Sequence, residues 1–323
     1  GKLGSDDGIQ VVLTDLSNDV TSNTLKGSSR GSALEPEGFR IRVTASGNKT
    51  TYWVIGADPA GTMYGGLELA EVVRVAGLEA VEDVERNPYM AMRGTKFNIP
   101  LDVRSPSYTD VCDAAQKNIA EMWSLAFWTE YIDTLARYRF NYVSCWNLHP
   151  FPSLVQVPEY PDVALDEVYA FAKPIPAGVY RDWPGVDLQA PENLRLVKRI
   201  SMDEKIAFWQ GVFNYATDRG IDIYIFHWNI FVFGAKDKHG IAWSQTNDTT
   251  IDYFRQSVKQ FLLTYPMVKG IGVTAGEHID RNLKGKYSTE NWMWLTYGRG
   301  IMDAQAENAT INVRFIFRRH WSD

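Results

Sequence analysis

From Met90 onward, near-continuously apolar runs alternate with amphipathic stretches, and that alternation constrains the fold more than any other feature of the chain. The apolar runs are MAMRGTKFNIP, FNYVSCWNLHP, IDIYIFHWNIFVFG, VKGIGVTAGEHI and INVRFIFRRHW. Between them lie NIAEMWSLAFWTEYIDTLARYR, SMDEKIAFWQGVFNYATDRG, TTIDYFRQSVKQFLLTYP and STENWMWLTYGRGIMDAQAENA, each with helical spacing of its apolar residues. Strands apolar throughout and separated by helices belong to a parallel sheet covered on both faces. Ser201 followed by Glu204 is a capping box and marks a helix start. A TIM barrel and a doubly wound sheet both satisfy the pattern. No glycine-rich phosphate loop opens the first helix, which weakens a dinucleotide-binding reading. Long excursions after the strands, the largest rich in Pro and Tyr over residues 151–199, fit a barrel whose loops build a site. A barrel needs eight strands and about five are countable. The expected fold is therefore α/β, with a (β/α)8 TIM barrel truncated after about five strands; a complete five-stranded α/β domain is the alternative.

Residues 1–88 read differently, as a small α+β domain. GIQVVLTD, GFRIRVTA and TTYWVIGAD are strand candidates, the second alternating with period two as a half-buried strand does. PAGTMYGGLELAEVVRVAG turns through glycine into a helix that Gly77 stops. VERNPYMAMRG, with Pro88 near the boundary, reads as a connector. Residues 89–323 then form the first part of the barrel domain.

Charge and composition narrow the partner. Lys plus Arg number 33 against 39 Asp plus Glu, a net −6 with no long basic run, which argues against nucleic acid. Aromatics make up 13% of the chain, with 11 Trp, and indole faces suit the apolar C–H faces of sugar rings as well as a core. Cys112 and Cys145 define neither a disulfide framework nor a zinc motif. No uncharged apolar run approaches the ~18 residues of a membrane span. The opening GKLGSDDG looks like a mature or trimmed end. Sequons at Asn48, Asn247 and Asn308 lend weak support to a secreted or periplasmic protein.

Ligands of parallel α/β sheets bind beyond the carboxyl ends of the strands. Those ends carry Lys96, Asn98, Asp102 and Arg104; Trp146, Asn147 and His149; His227, Trp228 and Asn229; Glu277, His278 and Asp280; and Arg318, Arg319 and His320. Four of the five histidines fall there, and the fifth, His239, follows by a short loop. One such histidine is more often a satisfied core residue; four together point to a functional rim. Glu277, flanked by Gly276 at the sheet mouth, would be partly desolvated, which raises a carboxyl pKa toward that of a general acid. Pairing with Arg281 or a strand-five arginine is the alternative. A glycosidase usually needs a second carboxylate, for which only Asp102 and Asp280 stand at these strand ends.

GFRIRVTASGNKTTYWVIGADPAGTMYGGLELAEVVR resembles the small N-terminal domain that precedes the barrel in alpha-glucuronidases and beta-hexosaminidases. The signature is a strand, the turn Gly56-Ala57-Asp58 with Gly61, then Tyr64-Gly65 opening a helix. The later part looks like polysaccharide-degrading glycoside hydrolases of that general kind. In many of these the acid/base glutamate ends strand four, and the resemblance implies that role for Glu277. Hexosaminidases carry an Asp-Glu pair there, whereas Gly276 precedes Glu277 in this chain. RGTKFNIPLDVRSPSY also departs from a xylan-active alpha-glucuronidase. Lys96, Arg104, Arg318 and Arg319 would suit a uronate carboxylate, since guanidinium forks bind carboxylates bidentately, although ordinary ion pairing also accounts for them.

The sequence thus leads to a glycoside hydrolase acting on a polysaccharide or oligosaccharide, one expectation being a uronic-acid-containing one. Glu277 protonates the glycosidic oxygen. Asn147, His149, His227, Asn229, His278 and His320 hold hydroxyls, with Lys96, Asn98, Asp102, Arg104 and Arg318 as further substrate contacts and Trp146 and Trp228 as platforms. No cofactor or metal is called for, and the partner is a carbohydrate. Two rivals are a metal-dependent hydrolase built on the rim histidines and a non-catalytic carbohydrate-binding protein. No His-x-His pair on strand one and no i, i+4 histidine pair supports the first.

Overall fold

The computed structural model of the chain describes residues 2–4, 8–17, 33–107, 113–173, 190–275 and 278–319. The chain divides into two compact units, Gly1–Arg93 with Leu135–Phe140, and Gly94–Thr134 with Asn141–Asp323.

In the first unit, β1 (Lys2–Gly4), β2 (Ile9–Asp15), β3 (Phe39–Ser46), β4 (Lys49–Gly56) and β5 (Val84–Arg86) form a mixed sheet in the order β1-β2-β4-β3-β5. Helix α1 (Pro59–Ala76) is packed with this sheet in a core that includes Phe39, Ile41, Tyr52, Val54, Tyr64 and Leu69. The glycine-rich signature has a packing cause. Asp58 caps α1, accepting from the Gly61 amide at 2.8 Å, while its second oxygen accepts from the Glu37 amide at 2.8 Å. A Cβ on Gly61 would lie 2.2 Å from the Gly38 carbonyl oxygen, and one on Gly65 would lie 2.6 Å from the Val54 side chain. The motif is therefore what lets a helix start close against its sheet.

The second unit holds a parallel sheet of β6 (Gly94–Asn98), β7 (Tyr142–Asn147), β10 (Asp222–Trp228), β11 (Gly270–Ala275) and β12 (Arg314–Arg319), lying side by side in chain order. Every residue of β11 and all but the first of β10 are buried, which is why both read as unbroken apolar runs. The connecting helices are α2 (Asp113–Met122), α3 (Leu125–Arg137), α5 (Met202–Thr217), α6 (Asp248–Thr264), α7 (Thr289–Met293) and α8 (Arg299–Glu307). Among the described residues no helix is long and apolar enough to cross a membrane.

Three sequence expectations need correction. The first amphipathic stretch is two helices, because the Trp123 indole donates to the Leu101 carbonyl at 2.8 Å and Ser124 restarts the helix by capping Phe127. The last is also interrupted: a π-helical turn, Trp294–Gly298, separates α7 from α8. The Pro/Tyr-rich excursion contains a short helix α4 (Phe151–Leu154) and an antiparallel pair, β8 (Val168–Phe171) with β9 (Leu194–Lys198).

Register sorts the strand residues onto two faces, since side chains alternate along a strand. Lys96 pairs with Ser144, Asn98 with Trp146, Trp146 with Phe226, Trp228 with Thr274 and Thr274 with Arg318. These share one face. The other carries Phe97, Asn147, His227 and Phe315, and the helices pack there. Phe97 lies against Phe127, Trp128 and Tyr131 of α3, and His227 against Phe254 of α6 and Tyr297 of the π-helical turn.

Candidate functional site

The helix-facing polar residues are consumed by the fold. His149 is fully buried; its Nδ1 lies 2.5 Å from the Phe233 carbonyl oxygen and its Nε2 3.1 Å from the Tyr253 hydroxyl. A carbonyl only accepts, so Nδ1 carries the proton and Nε2 accepts from the tyrosine. Burial pushes this histidine down to about 4, opposed by the Phe233 bond. His227 is held the same way, its Nδ1 3.1 Å from the Trp228 carbonyl oxygen and its Nε2 in contact with the Tyr297 hydroxyl. Burial, with the neighbouring His149, lowers it to about 3. The Asn147 amide donates to the Ile99 carbonyl at 2.8 Å and accepts from the His149 amide at 2.9 Å. Asn229 donates to the Thr274 carbonyl at 3.0 Å and pins the exit of β10 to β11.

Asp102 and Arg104 engage each other. The buried Asp102 carboxylate accepts from Arg104 Nε at 2.8 Å, from an Arg104 terminal nitrogen at 2.9 Å, and from the Arg104 and Tyr169 amides at 2.8 and 2.9 Å. Four donors fill its four lone-pair sites. Arg104 also donates to the Asp166 carbonyl at 2.9 Å. Beside them the buried Lys205 ammonium donates to the Leu165 and Glu167 carbonyls at 2.5 and 2.6 Å. Burial lowers Lys205 to about 8. These groups clamp the Asp166–Tyr169 loop rather than face outward.

The opposite face is aromatic and carries cations. Trp146 stacks on Phe226, with ring centroids 4.3 Å apart at 10°, and meets Trp228 edge-on at 5.7 Å. Over this aromatic floor stand two cations. Lys96 Nζ lies 4.5 Å from the Trp146 ring centroid, and the Arg318 guanidinium carbon lies 5.6 Å from Trp146 and 6.0 Å from Trp228. Both side chains are exposed. Burial against the floor and the charge of Arg318 push the Lys96 ammonium below its usual value. Thr274, on the same face in register with Arg318, is fully buried, and among the described residues its hydroxyl has no hydrogen-bond partner. The floor keeps its shape because β11 is glycine at two positions: a Cβ on Gly272 would lie 2.2 Å from the Phe226 ring and one on Gly270 2.4 Å from the Tyr224 ring.

In the same cluster Phe231 and Phe233 stack at 5.6 Å, Trp243 stands edge-on to both, and the exposed His278 meets Phe231 at 5.0 Å. Glu277 and His320, and the Arg319 side chain, lie outside the described residues. Among the described residues no group of three His, Cys, Asp or Glu side chains could hold a metal ion.

No protein-family model matches the chain, and no curated protein matches it. Among solved structures, a GH138 enzyme targeting pectin rhamnogalacturonan II superposes with a TM-score of 0.62 at 23% identity, over 93% of this chain and 30% of that one. The GH20 beta-N-acetylhexosaminidase from Streptomyces coelicolor A3(2) superposes with a TM-score of 0.50 at 12% identity, over 89% of this chain and 52% of that one. The shared feature is the fold. It is a mixed α/β architecture with a parallel sheet, found in solved glycoside hydrolases. The chain spans about a third and about half of the lengths of these two structures.

Sequence reasoning gathered Lys96, Trp146, Trp228 and Arg318, which the structure brings to one face. It did not separate them from Asn147 and His227, because naming strand ends without parity mixes the two faces. It missed Thr274 and Trp243. Counting alternate positions back from the end of β11 would have found the first. No pattern marked the second, which lies in a loop.

Proposed function

We propose that the chain is part of a glycoside hydrolase acting on an acidic, uronic-acid-containing polysaccharide, with the aromatic floor and its two cations holding the sugar. The convergence of Lys96 and Arg318 on the Trp146 ring carries this reading. Both cations offer hydrogen-bond donors on one face, and a carboxylate is the group that an ammonium and a guanidinium both bind. A uronate supplies a carboxylate for the cations that the buried indole beneath them holds in place.

The fold likeness supports a glycosidase, and the solved GH138 enzyme targets pectin rhamnogalacturonan II. Strands succeeding one another across the sheet in chain order lack the reversal of a doubly wound sheet and support a barrel. In this reading Glu277, which follows β11 in the chain, is the general acid. Asp102 is a positioning residue, since its lone pairs are already filled.

The test is hydrolysis of neutral and uronic oligosaccharides by the full-length protein and by Glu277→Gln. The reading expects uronic substrates alone to be cleaved and the variant to lose activity by about a hundredfold or more. An active Glu277→Gln removes that residue from the mechanism, and cleavage confined to neutral sugars overturns the substrate class.

A further inference from the structure

The loop after β10 carries an apolar group whose exposure the core does not explain. Trp243 is 44% exposed, although its ring packs edge-on against Phe231 at 5.3 Å and Phe233 at 5.0 Å. One exposed tryptophan means little by itself. Here the backbone on both sides is fixed. The Ala242 amide donates to Thr250 Oγ1 at 2.9 Å, and that hydroxyl donates back to the Ala242 carbonyl at 2.8 Å. On the other side the Gln245 side chain accepts from the Asp280 amide at 2.9 Å and donates to the Tyr287 carbonyl at 2.7 Å, joining the loops after β10 and β11. The indole is therefore presented rather than merely left out.

Two further observations point to a ligand. Phe231, under Trp243, belongs to the same aromatic cluster as Trp146, Trp228 and Phe226, so the exposed ring continues the floor that carries the cations. Phe231 also meets His278 edge-on, a residue that is exposed and held in the left-handed region at φ 62°. A non-glycine residue there is a strained position that the surrounding structure sustains. It leaves an imidazole with hydrogen-bonding nitrogens beside an aromatic surface. An apolar plate with a polar edge is the arrangement that receives a sugar ring.

The geometry points to a second carbohydrate subsite, in which Trp243 stacks on the glycosyl unit next to the one held by Lys96 and Arg318, with His278 at its edge. This rests on the acidic-sugar reading above and adds to it that the protein recognises an oligosaccharide rather than a single sugar. The plate carries no charge, so the neighbouring unit is read by its ring face. The cations read the carboxylate of the first.

Calorimetric titration of the full-length protein with galacturonate and its di- and trisaccharide tests the inference, in wild type, Trp243→Ala and Trp243→Phe. Wild type is expected to gain about tenfold in affinity from monosaccharide to trisaccharide, the worth of one stacking contact. Trp243→Ala should lose that gain while binding the monosaccharide within about twofold of wild type, and Trp243→Phe should keep most of it. A gain that persists in Trp243→Ala, or a monosaccharide affinity that falls equally, overturns the second subsite and leaves the first. Wild type silent toward all three sugars overturns the acidic-sugar reading and the subsite with it.

Discussion

Lys96 and Arg318, from opposite edge strands of the parallel sheet, both reach the indole of Trp146, at 4.5 and 5.6 Å from its ring centroid. The two cations are 222 residues apart in the chain, yet register puts both on one face. If this pair reads a carboxylate, Arg318→Ala should lower kcat/KM on a uronic oligosaccharide by about tenfold to a hundredfold, the worth of one charge-assisted contact. Any activity on the carboxyl-reduced sugar should change little. Steady-state kinetics on the two substrates checks this, and an equal fall on both makes the role structural.

The lowered Lys96 ammonium gives a pH signature. Only its charged form attracts a carboxylate, and that form is lost as pH rises through a value below the ordinary lysine range. Affinity for galacturonate should therefore decline at a lower alkaline pH than a solvent-exposed lysine would give, and the decline should vanish in Lys96→Met. Titration across the alkaline range decides it.

The buried histidines govern acid stability instead. His149 and His227 are held at about 4 and about 3, below the unfolded value of 6.5. Between these limits the unfolded chain binds more protons than the folded one, so stability rises with pH there. It is fully present above pH 6.5 and is lost as pH falls toward 4 and then 3. His227→Phe keeps the stack on Phe254 and should flatten this slope, at the cost of leaving the Tyr297 hydroxyl without its acceptor. Denaturant unfolding at a series of acid pH values reads the slope.

Lys205 behaves in the opposite range. Its folded value of about 8 lies below the ordinary lysine value of 10.5, so folding favours the neutral amine and stability rises as pH passes from about 8 toward 10.5. In Lys205→Met that rise should disappear from the melting temperature. A slope unchanged in the variant would assign it to another group.

Gly272→Ala joins the fold to the site. The added methyl lies within the Phe226 ring and must displace it from its stack on Trp146. Overpacking of this kind costs about 1–3 kcal/mol. The variant should unfold at lower denaturant and also bind galacturonate more weakly, because the floor under both cations moves.

The strand–helix alternation was legible because strands buried on both faces have no polar side to interrupt them, as β10 and β11 illustrate. Ser201 and Glu204 were legible as a cap because the two side chains satisfy each other's amides, and the structure has both bonds. The β8–β9 pair was not legible. Its strands are four and five residues long, and a long excursion rather than a short turn joins them. The histidines misled for a physical reason. A neutral imidazole can donate to a backbone carbonyl and accept from a tyrosine, so His149 and His227 satisfy the core's own carbonyls at the strand ends. Their location resembles that of site residues while their chemistry is spent inward. Trp146 and Trp228 were legible as aromatic residues at strand ends, but the structure buries both, Trp228 completely, and the hydroxyl of Thr274 between Trp228 and Arg318 was hidden in a run that reads as apolar.

The most direct measurement is release of reducing sugar by the full-length protein from a uronic oligosaccharide and from the same oligosaccharide with its carboxyls reduced to alcohols. The cation pair predicts turnover of the first and loss of most of it, about tenfold or more, on the second. Equal turnover of both, or preference for the reduced sugar, would contradict a carboxylate-reading site over Trp146.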